Sequence, residues 1–443
     1  MKLGTQTAPD LSGNFFRGTL AHAAVWAVVV VGWVGAPVAR GDGFRNPVDG
    51  AEALGSVGGR IVHIDDATAV SHNPANLVDI KKPVVLGACT VGYAEKKFTG
   101  LDGVSTTSED PWRALPSAYG VWPLVENEWA AGVGVNFPFG QSTRWKKTSI
   151  PGMAGPYFAE MKTVNINPTL ACRPLSWLSV GVGVDLYRSD LDFRQQVPWF
   201  MVTGNPMSGV GIEKFQGDGY GVGANAAVSV DVAKGHRVAV TYRTPFKVKY
   251  DGDLDISGVP PASALPPPLR GISAESDADT EFKFPGILGL GYGIEVTDRV
   301  RVEFNAEWLQ HSVYDALTVN AGNNNALVMA SMGSTTIPQD WKDAWTFGAG
   351  ADWRFATDWI ARAGYSFMQT PVPSRTLMPT VSEEDMGVAS VGLGYRKNGH
   401  AVDVAFMDGI FDTRKVRDNQ NPAFNGDYDF VSRLVGVSYS YSF

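Results

Sequence analysis

The sequence predicts an all-β fold: a transmembrane antiparallel β-barrel of about fourteen strands, with an N-terminal, partly helical hatch inside the lumen. Three observations predict it: apolar and polar residues alternate over long runs, short and long connections alternate, and the chain opens on an export-type leader. The composition agrees, with 50 Gly, 13 Trp, 14 Tyr and 22 Phe but only 19% charged residues in 443. Overall hydropathy is near neutral, which excludes a bundle of transmembrane helices. A lipid-facing barrel averages its apolar outer face against its polar lumen. The net charge of -8 leaves no basic footprint for nucleic acid.

The leader comes first. Lys2 and Arg17 precede the apolar run 23–34, and small residues follow at Ala36, Ala39 and Gly41. This order is that of a signal peptide over residues 1–41, cleaved after Ala39 or Gly41. A retained anchor is the alternative, since the run is nearly long enough to span a bilayer.

Residues 42–82 lack the two-residue period. The stretch 49–55 reads as a short helix, and Asp65 is placed to cap a turn over Ala67 to Val70. Pro74 then stops regular helix. Some forty irregular residues at the periplasmic end of a barrel fit its lumen, as a plug.

From residue 83 to residue 443 the period of two dominates, because successive strand side chains point to opposite sides. Strands are expected at roughly 83–95, 115–124, 128–139, 159–173, 177–191, 217–232 and 236–251, then 280–296, 299–315, 341–355, 358–370, 386–396, 400–411 and 430–443. Val238, Val240, Tyr242, Phe246, Val248 and Tyr250 share the even, apolar side, while Arg237, Arg243, Lys247 and Lys249 fall on the odd, lumen-facing side. Short turns such as 233–235 and 397–399 alternate with loops of roughly 15 to 28 residues, the asymmetry of an outer-membrane barrel in a Gram-negative bacterium. In the last strand Tyr439, Tyr441 and Phe443 share the apolar face and form a periplasmic girdle. A terminal aromatic residue is also the signal read by the barrel-assembly machinery. Arg433 interrupts that face, so it belongs near the outer interface, where a cation costs about 0–1 kcal/mol rather than about 2–4 at the midplane. Cys89 and Cys172 lie in apolar runs without metal-ligand spacing; they read as isolated small hydrophobes, with a periplasmic disulfide left open.

Several short pieces, in order, resemble the FadL/TodX type of outer-membrane long-chain fatty acid and hydrocarbon transporters. They are Asp65-Asp66-Ala67 with Asn73-Pro74-Ala75, then Asn136-Phe137-Pro138-Phe139-Gly140, Asn165-Ile166-Asn167-Pro168, Trp341-Lys342-Asp343, Gln369-Thr370-Pro371-Val372-Pro373, and the closing strand. The resemblance spans nearly the whole mature chain. It implies a monomeric fourteen-stranded barrel with an N-terminal hatch, in which Asn73-Pro74-Ala75 lies beside a kink in the third strand. Through that kink ligand leaves sideways into outer-membrane lipid. Pro138 suits a kink because it offers no N–H to the ladder, although it equally ends a strand at a loop.

The implied ligand is a long-chain fatty acid or another hydrophobic small molecule, with aromatic hydrocarbons or alkanes as the alternative. Burial of some sixteen methylenes at about 0.8 kcal/mol each offers about 13 kcal/mol, against about 4–15 kcal/mol for association. Such a ligand binds and can still leave. The loops carrying Trp199, Phe200 and Met201, and Leu265 and Leu269, are apolar enough to capture it, or to cap the barrel by packing together. A carboxylate would want a cation, for which Arg237, Arg243, Lys247, Lys249 and Lys342 are candidates. The six histidines are scattered, with no Ser/His pair for an enzyme and no metal spacing, so no cofactor is expected. A general porin would prefer an open, charged lumen without a plug. No nucleotide motif or TonB-box-like segment occurs, so transport should be passive.

Overall fold

A computed structural model describes residues 43–322, 325–332 and 336–443; the expected signal peptide lies outside the described residues. Among those residues fourteen long strands close into one antiparallel barrel. They are β1 Val84–Gly100, β2 Trp112–Val125, β3 Trp129–Arg144, β4 Pro156–Leu175, β5 Leu178–Pro198 and β6 Val210–Ala233. β7 runs in two pieces, His236–Arg243 and Phe246–Ser257, and β8 likewise in Glu275–Phe284 and Ile287–Thr297. β9 Val300–Leu309, β10 Ala344–Ala356, β11 Trp359–Met368, β12 Met386–Lys397, β13 His400–Phe411 and β14 Gly426–Ser442 complete the wall. Each strand pairs with the next, and β1 pairs with β14 from Val84↔Ser442 to Gly100↔Gly426. Closure leaves no free sheet edge in the bilayer, which the lipid demands.

Alternation behaves as the chemistry requires. On β14, Val435, Val437 and Tyr439 are exposed to the membrane while Leu434 and Ser438 are buried inside. The tight turns are built by residues that accept positive φ: Asn398 (51°) with Gly399 (82°), and Gly235 (74°). Arg433 sits on the outer face and meets Asp408 of β13 at 3.1 Å. Cys89 and Cys172 are free thiols.

One predicted parity is overturned. Thr244-Pro245 on β7 stands opposite Pro285-Gly286 on β8, between the pairs Arg243↔Ile287 and Phe246↔Phe284. Prolines cannot donate to the ladder, so both strands break there and resume with the opposite face inward. Phe246, Val248 and Tyr250 are therefore buried in the lumen, while Lys247 and Lys249 point outward beside Glu281 and Asp251.

Residues 43–82 pack against the inward faces of the strands. α1 (Ala51–Gly55) packs against β12 and β13; α2 (Ala69–His72) and a 3-10 turn over Pro74–Asp79 pack against β3 to β6. Backbone meets backbone where glycines face each other. A Cβ on Gly58 would stand 2.7 Å from Gly348 Cα, and one on Gly59 would stand 2.8 Å from Gly350 Cα. The turn before α2 is capped by Asp66, whose Oδ1 accepts from Thr68 N at 2.8 Å. Asp65, expected in that role, pairs instead with Arg301 of β9 at 2.7 Å.

Candidate functional site

The third strand does kink. β2 and β3 pair from Val125↔Trp129 only as far as Ala118↔Val135. Beyond Asn136 the β3–β4 register shifts before resuming at Phe139↔Thr163. The outer half of β3 has thus left β2, although β2 stays paired with β1 out to Trp112. The two rims meet again at the Glu109↔Arg144 bridge and where Arg113 Nη2 donates to Ser142 Oγ at 2.9 Å. A stretch of wall between β2 and β3 therefore has no ladder.

A strap from the chain's N-terminal side takes the place of the missing neighbour. Asn46 N donates to Pro138 O (2.9 Å), Gly140 N donates to Phe44 O (2.8 Å), and Asn46 Nδ2 donates to Phe137 O (2.7 Å). Pro138 fits because only its carbonyl is used. Asn136 Nδ2 donates to Asp49 Oδ2 (2.6 Å) and Ser71 Oγ (3.1 Å), tying the start of the kink to the hatch. Asn73-Pro74-Ala75 lies elsewhere. Asn73 Nδ2 donates to Ser229 Oγ of β6 at 3.0 Å, and Pro74 packs on Gly181 of β5. The kink is thus touched by residues 44–46 along its backbone and by Asp49 and Ser71 at Asn136.

Above the strap lies an apolar chamber whose lining includes Phe44, Phe193, Phe215, Phe282, Tyr314 and Met378. Phe44 stacks on Trp341 (4.4 Å between centroids) and meets Phe282 edge-on at 4.7 Å. Its side chain lines the chamber while its carbonyl is bonded to the wall. The loop between β11 and β12 folds inward: Met378, Thr380 and Val381 line the chamber, and Glu383 accepts from Gly43 N at 3.0 Å.

Two carboxylates of β9 hold the hatch from the opposite side. Glu303 accepts the N–H groups of Ile61, Val62 and His63 at 2.7–2.8 Å. Glu307 is paired with Arg60 and, at 2.9 Å, with Arg45 of the strap. Glu52 lies between Arg362 and Arg396, both at 2.7 Å. Within the hatch, burial and the neighbouring Arg60 lower His72 to about 4, and its Nε2 lies 2.9 Å from Asp49 O. These anchors escaped the sequence reading, yet a signal was present: Arg301, Glu303, Asn305 and Glu307 occupy one face of a strand whose other face is apolar.

The remaining candidates scatter. Arg243 faces the lumen at hatch level, ion-paired with Asp185. Arg237 joins Asp79 and Asp231 at 2.7 Å, and Lys342 is exposed in the β9–β10 loop. Lys247 and Lys249 lie outside, because of the parity change. Of the loop apolars, Phe200 and Met201 are exposed, whereas Trp199, Leu265 and Leu269 are buried in the cluster around the chamber. Tyr439 contacts His400 Nδ1 at 2.8 Å, and Phe443 packs on Tyr441 at 5.0 Å.

The family model for the outer membrane protein transport protein (OMPP1/FadL/TodX) matches residues 36–443. A long-chain fatty acid transport protein of Salmonella typhi is 23% identical over 405 residues, covering 86% of this chain and 89% of that protein. Two solved structures share the fold. A Pseudomonas aeruginosa FadL homologue has a TM-score of 0.78 at 19% identity, covering 90% of this chain and 100% of that one. The Pseudomonas putida toluene transporter TodX has a TM-score of 0.72 at 16% identity, covering 91% and 100%.

Proposed function

Since the chain belongs to the OMPP1/FadL/TodX family of outer-membrane transport proteins, we propose that it imports hydrophobic small molecules passively and releases them sideways through its wall. Ligand meets the exposed apolar loop residues Phe200, Met201 and Met207, where partial burial of its carbon skeleton holds it near the mouth. It then enters the aromatic chamber. Occupancy there presses on Phe44, the residue that lines the chamber and bonds the kink. Once the strap leaves Pro138 and Gly140, the unladdered stretch between β2 and β3 opens toward lipid. Partition into the bilayer completes the transfer, because apolar burial is favourable at about 0.8 kcal/mol per methylene.

The double engagement of Phe44, side chain in the chamber and carbonyl on Gly140, is the observation that carries this reading. A general porin is disfavoured by the contacts that residues 51–79 make with strands β1 to β6 and β11 to β14.

The test is a reversible lock. In a background where Cys89 and Cys172 are serine, Asn46→Cys and Pro138→Cys join strap to wall when oxidised. Cells without their own transporter should take up labelled oleate or labelled toluene only with the lock reduced. Undiminished uptake through a fully cross-linked, membrane-inserted protein would remove the strap from the mechanism.

A further inference from the structure

Resting on the import reading above, we infer that the chamber selects uncharged hydrophobic molecules and discriminates against carboxylates. Its lining is dominated by aromatic and aliphatic side chains, and besides the Tyr314 phenol the ionisable residues along it are the acids Glu160 and Glu213, of which Glu213 is buried. Among the described residues no Lys, Arg or His lines it.

Glu213 is the decisive one. It is 3% exposed, and both its oxygens are already engaged. Ser331 Oγ donates to Oε2 at 2.6 Å, and Gln195 Nε2 donates to Oε1 at 3.1 Å. Two neutral donors stabilise a carboxylate without cancelling its charge, so the field it sets up in the chamber is negative. Glu160 alternates with the inward-facing Ala159 and Met161, and on that outer strand face it is paired with Lys162 at 2.8 Å, so neither charge points into the chamber. Of the buried cations, Arg45, Arg60 and Arg243 line a separate cavity at hatch level and are paired with Glu307 and Asp185, while Lys96 and Arg414 donate to backbone carbonyls of the loop between β11 and β12. A fatty acid anion in the chamber would therefore surrender its hydration, find no partner and face a like charge in a water-poor space. An alkane, an arene or a long-chain alcohol meets no such penalty. The aromatic lining offers such molecules ring edges and faces, and an alcohol can donate to Glu213.

The test pairs two ligands of one chain length, 1-dodecanol and dodecanoate, titrated calorimetrically into the full-length barrel in amphipol at about pH 8, where the acid is ionised. The wild type should bind dodecanol at least about tenfold more tightly. Glu213→Gln should improve dodecanoate by about tenfold and leave dodecanol within about twofold, since it removes charge and keeps shape. Glu213→Leu, which removes the charge altogether, should shift the preference the same way and serves if the first variant fails to insert. Dodecanoate binding as tight as dodecanol in the wild type overturns the inference, as does a preference that neither substitution moves. Failure of cells to take up any hydrophobe, with the binding preference intact, would count against import while upholding the chamber's selectivity.

Discussion

Single side chains carry most of the hatch's attachment, so single changes should release it. Glu303 satisfies three consecutive N–H groups of the hatch, and Glu303→Ala would leave them buried without an acceptor, at about 1–3 kcal/mol each. Faster hydrogen exchange at Ile61 to His63 in a barrel of unchanged heat resistance is expected; unchanged exchange would mean that Glu303 is not the anchor. His72 adds a pH dependence. Its imidazole, at 6.5 when free, is lowered to about 4 by burial and by Arg60. A depressed histidine contributes stability above pH 6.5 that is lost as pH falls toward 4, because the opened hatch takes up the proton first. Hatch opening in the wild type should therefore accelerate several-fold relative to His72→Gln between those values, read by exchange at Ser71 to Ala75. A ratio independent of pH would place His72 in contact with water. Legibility at this scale followed the backbone. Arg243 reads as lumen-facing because its strand alternates without interruption to that point, whereas Lys247 and Lys249 lie past the break at Pro245 and face outward.

Elements were legible where periodicity is local, and obscure where two distant segments must meet. Alternation and turn chemistry located every strand of the wall, yet the breaks in β7 and β8 arise from opposed prolines some forty residues apart. The kink at Pro138 was readable as a missing donor; its partner was not, because Phe44-Arg45-Asn46 has no pattern marking it as a strand mimic. The fit of hatch to wall is likewise a pairing of remote glycines. A Cβ on Gly348 would overlap Gly58 Cα, and the positive φ of Gly58 (+89°) leaves that residue little freedom to retreat. Gly348→Ala should loosen the hatch by about 1–3 kcal/mol, as overpacking does, without unzipping β10 from β9 or β11. Limited proteolysis within residues 55–60 of an otherwise SDS-resistant barrel would register this. A Gly348→Ala hatch as protected as the wild type would show that the backbones have room to part.

At the scale of the molecule, energy input and ligand supply set the flux. The barrel is closed and anchored round most of its circumference, while the gap between β2 and β3 is sealed by only a few hydrogen bonds from the strap. On the proposed route, opening it is driven by the partition energy of an apolar ligand, so transfer would run downhill without a coupled energy source. On that route encounter with the loops is the slow step at low ligand concentration. Phe200, Met201 and Met207 offer the exposed apolar contact there, each worth less than the roughly 1.5–3 kcal/mol of a fully buried side chain. Replacing all three with serine should lower uptake about tenfold at limiting ligand and leave the saturated rate unchanged, since the chamber, strap and wall are untouched. Uptake curves for labelled ligand in cells treated with an uncoupler separate the possibilities. A uniform drop at every concentration would move these residues from capture into the conduction path, and collapse of wild-type uptake on uncoupling would require an energy-linked partner for the hatch.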